Sequence, residues 1–252
     1  MPANPTDETR HRPRILCLHG GGTNARIFRA QCRVLHGLLS PHFRLCFAEG
    51  PFPCTPGTDV VSVYRDFGAF KSWIPQPPDP IVPPEIIADR ILGALHRTME
   101  EDDRSGADGK WLAVLGFSQG ARLAASLLLQ HQLGGTGRDE DEVDFRFAVL
   151  IAGRGPIIPL GLGLGLGLGA DPTGTSIAAL SLSLPTIHIH GLQDPGLTYH
   201  RELLERYCDP QTAEVVEWQG DHRVPIKLKD ARRVVDAVLR VARQTGCLSW
   251  DA

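Results

Sequence analysis

The sequence predicts an α/β fold: a mostly parallel sheet of about six strands flanked by helices. Three observations carry this prediction. Short apolar runs recur along the chain, and several are followed by a glycine-containing turn and then a stretch with apolar residues at helical spacing, the pattern of βαβ units. The stretch Trp111–Leu129, WLAVLGFSQGARLAASLLL, reads as strand, sharp turn and small-residue helix in direct succession. The chain has 252 residues, of which 42% are hydrophobic and 22% charged, enough for one domain with a sizeable core.

In chain order, residues 1–13 are polar and proline-containing and read as a flexible tail ahead of a single domain spanning 14–245. RILCL (Arg14–Leu18) is a buried-type strand running into His19-Gly20-Gly21-Gly22-Thr23-Asn24. Ala25 to Leu39 carries Ile27, Phe28, Val34, Leu35, Leu38 and Leu39 at helical spacing, with Thr23 or Asn24 as its cap. Phe43 to Ala48 is the second strand. Residues 49–84 hold nine prolines and the aromatics Phe52, Tyr64, Phe67, Phe70 and Trp73, and read as an irregular excursion over the active edge of the sheet. A helix follows from Pro84 to Met99, then an acidic turn from Glu100 to Lys110, then the strand Trp111–Leu115 with its turn and helix. Further strands are expected at Phe145–Ala152, Pro185–His190 and Ala213–Trp218, and helices at Leu197–Tyr207 and Leu228–Arg243. Between them, 155–180 reads as an insertion of low complexity. Its GLGLGLGLG (161–169) lacks the Lys-Ser/Thr of a phosphate loop.

Composition excludes several classes. A net charge of −3 leaves no basic excess for nucleic acid or an anionic membrane. No apolar segment opens the chain as a secretory leader would, and no uninterrupted run reaches the roughly 20 residues of a membrane span. The six cysteines form no C-x-x-C and read as free thiols in a reducing, cytoplasmic setting. No Cys/His cluster in the sequence calls for a metal, and no cofactor is implied.

The chemistry centres on Gly116-Phe117-Ser118-Gln119-Gly120. A nucleophile on a strand-to-helix turn needs neighbours without side chains, because backbone packs against backbone there. The turn also sets the following N–H groups at a helix N-terminus, where a developing oxyanion can be met. Ser118 is therefore the candidate nucleophile. A serine hydroxyl is almost un-ionised at neutral pH, so an imidazole must take its proton, and a carboxylate must hold that imidazole in one tautomer. Functional groups in a parallel sheet collect past the C-terminal ends of its strands. Past Pro185–His190 lies Asp194, in GLQDPG; past Ala213–Trp218 lies His222, in QGDHRVP. These are the candidate acid and base. Asp221 is the rival acid, disfavoured by adjacency to His222. His188 and His190 alternate with isoleucines and read as strand histidines bonded to backbone, with substrate contact as the alternative. The Gln119 amide is one oxyanion donor. Gly21 is the second, with Gly22 close behind. Phe70 and Trp73 are expected to line the acyl pocket.

The order Ser, Asp, His is that of α/β-hydrolases. ILCLHGGGTN, FRLCFAEGPF, LGFSQGARLA, HIHGLQDP and GDHRVP together resemble the fungal serine hydrolase (FSH1) family, over about Arg14 to Arg243. The resemblance implies a compact α/β-hydrolase fold with Ser118, Asp194 and His222 as nucleophile, acid and base. HGGGTN looks like the subgroup encoded beside fungal polyketide synthases, which implies a thioesterase or esterase acting on a small-molecule or carrier-bound acyl group. An acyl-carrier protein is then an expected partner, with Arg26, Arg29 and Arg33 as a docking patch for an acidic helix. A carboxylesterase or lactonase without such a partner, and a non-catalytic acyl-binding module, stand as alternatives. The sequence departs from the family pattern in GLGLGLGLG and in Asp221, where a second glycine is frequent.

Overall fold

The apolar runs are nearly continuous rather than alternating because both faces of the sheet are covered, as in other parallel sheets. A computed structural model describes residues 7–76, 81–134, 143–158, 160 and 181–250. In chain order the strands are β1 (Arg14–Leu18), β2 (Arg44–Ala48), β3 (Phe52–Pro53), β4 (Lys71–Ser72), β5 (Trp111–Phe117), β6 (Val143–Ile151), β7 (Thr186–Gly191) and β8 (Ala213–Trp218). The helices are α1 (Ala25–Gln31), α2 (Arg33–Leu39), α3 (Thr58–Tyr64), α4 (Pro84–Arg104), α5 (Gln119–Gln132), α6 (Leu197–Tyr207) and α7 (Leu228–Gln244). Six strands form one sheet in the order β2-β1-β5-β6-β7-β8, parallel at every pairing, while β3 and β4 form a separate antiparallel pair.

The strand period of two sorts the core into two layers. Leu16, Leu18 and Val114 point to one face and pack with α4, α5 and α6 through Ile91, Leu95, Leu123, Leu127 and Leu203. Ile15, Cys17, Ala113 and Leu115 point to the other face and pack with α1, α2 and α7 through Phe28, Leu35, Val234 and Val238.

Register places the site. Leu18 pairs with Gly116, so the loop after β1 emerges beside the turn after β5. Gly191 pairs with Trp218, so the loops after β7 and β8 emerge together. Those two loops are tied by Leu192 N–H donating to Trp218 O at 2.9 Å and Gln193 N–H to Gly220 O at 2.8 Å.

Several boundaries differ from the sequence reading. The helix expected over Ala25–Leu39 is two helices, broken at Cys32 (φ −82°, ψ 4°), although the apolar stripe runs across the break. Asn24 caps the first, its side-chain oxygen accepting the Ile27 N–H at 2.8 Å. Helix α4 runs on to Arg104 through residues expected as an acidic turn. Asp102 accepts from the Arg44 guanidinium at 2.7–2.9 Å and from Arg14 at 3.3 Å, so the acidic run is the helix's anchor to β1 and β2. Residues 7–13, expected as part of a tail, form turns held to the domain: Asp108 N–H donates to Arg10 O at 3.1 Å, and the Arg44 guanidinium bonds Asp7 and Thr9. Residues 1–6 and the GLGLGLGLG run lie outside the described residues. Among the described residues no helix is long and apolar enough to cross a membrane, and all six cysteines are free thiols.

Candidate active site

Ser118 sits between β5 and α5 with φ 53° and ψ −112°, a conformation rare for a residue with a side chain and one that stores strain at functional turns. The two glycines around it are required by contact with backbone. A Cβ on Gly116 would stand 2.1 Å from the Gly120 carbonyl oxygen, and a Cβ on Gly120 would stand 2.1 Å from that of Leu18. The turn is fixed to the sheet by Ser118 N–H donating to Ile151 O at 2.8 Å.

His222 Nε2 lies 3.0 Å from Ser118 Oγ, and His222 Nδ1 lies 2.6 Å from Asp194 Oδ2. Asp194, deeply buried, can only accept, so Nδ1 carries the proton and Nε2 presents its lone pair to the serine. The other carboxylate oxygen of Asp194 accepts the Gly196 N–H at 2.7 Å. Burial pushes the Asp194 carboxyl up, but the Gly196 amide, the His222 bond and the positive potential of the neighbouring imidazoles outweigh it and hold it below the usual carboxylate range. The rival Asp221 pairs with Arg223 at 3.2 Å, and it is Asp194 that meets His222 Nδ1. The His222 ring rests on that of Phe117, 5.1 Å between centroids.

The loop after β1 supplies the opposite wall. Gly22 N–H is taken by Lys71 O at 3.0 Å, whereas no described residue accepts from the Gly21 or Gln119 N–H. Gly50 N–H donates to His19 Nε2 at 2.9 Å, so the proton of His19 sits on Nδ1 and is donated to Gly20 O at 2.8 Å. Thr23 Oγ1 donates to the same carbonyl at 2.6 Å. In a trans peptide C=O and N–H point oppositely, so holding the Gly20 carbonyl turns the Gly21 N–H away from His19 and Thr23. His19 and Thr23 were missed by sequence reasoning. Their one signal was their place in HGGGT directly after β1.

The expected pocket role of Trp73 is not met. Its side chain is fully buried, its indole N–H donates to His19 O at 2.8 Å, and its ring lies 5.0 Å from that of His19. Trp73 buttresses the glycine loop instead, because its indole N–H finds a carbonyl partner on the inner side of that loop. Gln119 ties down the same segment: its side-chain oxygen accepts from Trp73 N–H at 2.7 Å and from Ser72 Oγ at 3.0 Å. Phe70 is half-buried against Gly68 and does not border the cavity at Ser118. That cavity, about 440 Å³, is lined by Gly21, Ser118 and His222 with apolar walls from Val60, Tyr64 and Ile226, and Arg33 at its rim. Arg26 and Arg29 are engaged elsewhere, over the rings of Phe67 and Phe47. His188 and His190 are buried within β7, with His188 Nε2 3.1 Å from Thr186 Oγ1.

The sequence matches the family described as Serine hydrolase (FSH1) over residues 9–234. It is 66% identical to "Probable esterase azaC" of Aspergillus niger, over 98% of this chain and 92% of that protein. It is 50% identical to "Esterase pigG" of Monascus ruber, over 98% of each chain, and 47% identical to "Esterase dbaE" of Emericella nidulans, over 97% and 96%. Among solved structures, a carboxylesterase from Mesorhizobium loti superposes with a TM-score of 0.55 at 19% identity, over 92% of this chain and 90% of that one. Acyl-protein thioesterase 2 of Zea mays does so with a TM-score of 0.54 at 17% identity, over 92% and 94%. The likeness to these structures shows the α/β-hydrolase fold. The chain belongs to the FSH1 family of serine hydrolases and is a serine ester hydrolase.

Proposed function

We propose that this enzyme cleaves an ester or thioester through a covalent acyl-enzyme, acting on an acyl product of fungal polyketide biosynthesis. The observation that carries the reading is the hydrogen-bonded line Ser118–His222–Asp194 at 3.0 and 2.6 Å. Ser118 Oγ attacks the carbonyl carbon as His222 Nε2 takes its proton. The amides of Gln119 and Gly21 receive the oxyanion, and Asp194 holds the imidazolium. His222 returns the proton to the departing alcohol or thiol. Water then attacks the acyl-enzyme by the same route, its proton passing to His222 and on to Ser118 as the acid leaves. No metal or organic cofactor takes part in this sequence.

The polyketide setting is supported by the resemblance of HGGGTN to pathway-encoded members of the family and by the esterase names of the relatives. The cavity of about 440 Å³ with apolar walls suits an acyl group of the size of a small aromatic or medium-length chain. Arg26, Arg29 and Arg33 are exposed on α1 and α2 and are the proposed contact for an acyl-carrier protein. A second reading, an esterase without a carrier partner, is favoured by the stacking of Arg26 and Arg29 on aromatic rings, which occupies part of that patch.

Intact mass after fluorophosphonate treatment, on wild type and Ser118→Ala, tests the first step. A single adduct absent from the variant is the expected result. No adduct on folded wild-type protein would overturn it in favour of an acyl-binding module. Comparing kcat/KM for matched oxygen esters and carrier-bound thioesters then separates the two readings.

A further inference from the structure

A further buried imidazole stands behind Asp194. On α6, six residues beyond it, His200 is fully buried. Its Nε2 lies 3.6 Å from Asp194 Oδ2, the same oxygen that faces His222 Nδ1. Among the described residues neither ring nitrogen of His200 has a hydrogen-bond partner. Burying an imidazole without satisfying either nitrogen is costly, and such a group asks for an explanation. The rings of His200 and His222 are 5.9 Å apart, and one ligand atom from each of Asp194, His200 and His222 falls within 4.8 Å of the other two.

We propose that Asp194, His200 and His222 form a zinc site whose occupation switches the hydrolase off. The donor set, two imidazoles and one carboxylate, is that of zinc rather than of calcium or magnesium, which take oxygen ligands. Zinc–ligand bonds of about 2.0–2.1 Å in tetrahedral array set ligand atoms roughly 3.4 Å apart. The 3.6 Å between His200 Nε2 and Asp194 Oδ2 already suits this, and the 2.6 Å between His222 Nδ1 and Asp194 must open by less than about 1 Å. The His222 side chain is 29% exposed at the cavity, which gives the ion a way in. A fourth position is left for water. One carboxylate is the single anionic ligand, and Arg154, stacked on Tyr199 beside His200, adds a neighbouring positive charge. Both keep affinity moderate and binding reversible.

The consequence for the reaction, which rests on the proposed roles of Ser118 and His222, follows from the tautomer. Zinc takes the Nδ1 lone pair of His222 in place of the Nδ1 proton, and the neutral ring then carries its proton on Nε2. The nitrogen facing Ser118 Oγ becomes a donor and cannot accept the serine proton. The ion sits on the Nδ1 side of His222, across the ring from Ser118 and the acyl cavity, so kcat should fall with KM nearly constant.

The test reads binding apart from activity. Ser118→Ala protein is titrated with Co²⁺ as a spectroscopic stand-in for zinc. One equivalent should give the visible d–d bands of tetrahedral Co²⁺, removed by added Zn²⁺. Adding His200→Phe or His200→Gln should weaken binding at least about 10-fold. In wild type, zinc should lower kcat for p-nitrophenyl acetate, EDTA should restore it, and the zinc concentration for half-inhibition should rise at least about 10-fold in the His200 variants. Co²⁺ bands or zinc inhibition unchanged by either substitution would overturn the proposal and point to thiols instead. Should neither variant fold, anomalous diffraction from zinc-soaked wild-type crystals decides: a peak among the three side chains supports the site, and its absence overturns it. If instead the triad roles are wrong, Co²⁺ still binds in the Ser118→Ala protein while wild type shows no turnover to inhibit.

Discussion

Asp194 Oδ2 accepts a hydrogen bond from His222 Nδ1 at 2.6 Å, and the Asp194 side chain is closed to solvent. Replacing the carboxylate by an amide preserves shape but lets the imidazole adopt the other tautomer. Asp194→Asn should therefore lower kcat by roughly 10⁴-fold with little change in melting temperature, read by ester turnover beside calorimetry. Thr23 acts one step further out. Its hydroxyl donates to Gly20 O at 2.6 Å and so aims the next amide. Losing an oxyanion donor outright costs about 10²–10³ in kcat. Thr23→Val leaves His19 still holding the carbonyl, so a loss of roughly 10-fold in kcat with KM near its wild-type value is expected, measured under saturating ester. At this scale the sequence was informative where a residue type has few roles in a turn, as with Ser118 and His222. It was silent on His200, one of ten histidines, because only the docking of α6 against the loop after β7 brings it to Asp194.

Among elements, the β3–β4 excursion is the instructive one. Its composition marked it as important, yet an aromatic side chain in an irregular segment carries no sign of which way it points. Trp73 turned inward to the His19 carbonyl. Trp73→Ala should thus destabilise the fold by about 3–5 kcal/mol, seen in urea unfolding, and depress turnover of short and long esters alike. An effect confined to long esters would restore the pocket role. The central strands were legible because burial on both faces makes them continuously apolar. The end of α4 was not, because EEDDR reads as a turn until Arg14 and Arg44 on adjacent strands are seen to hold Asp102. The break at Cys32 was hidden by an apolar stripe that continues in the sequence from Ile27 and Phe28 to Val34 and Leu35.

For the whole molecule, buried imidazoles make stability depend on pH. His188 is 1% exposed, and burial, with the charge of His190, pushes its pKa from 6.5 down to about 3. It stays neutral in the fold while the unfolded chain takes up a proton below pH 6.5, so its contribution to stability is intact above 6.5 and is lost as pH falls toward 3. His188 alone should remove up to about 2 kcal/mol between pH 6.5 and 5. Urea midpoints across this range should fall in wild type and fall less steeply in His188→Gln.

The walls around Ser118 carry a further consequence. In the proposed mechanism the hydroxyl approaches from one direction, the amides of Gly21 and Gln119 fix where the oxygen goes, and His222 fixes where the departing group goes. With three of four directions around the attacked carbon assigned, the fourth is assigned too, and the tetrahedral centre is made in a single hand. Acyl groups bearing a stereocentre beside the carbonyl then meet the Val60 and Tyr64 wall as mismatched mirror images. A racemic 2-methyl ester should be resolved rather than consumed evenly, which chiral chromatography at half conversion would reveal.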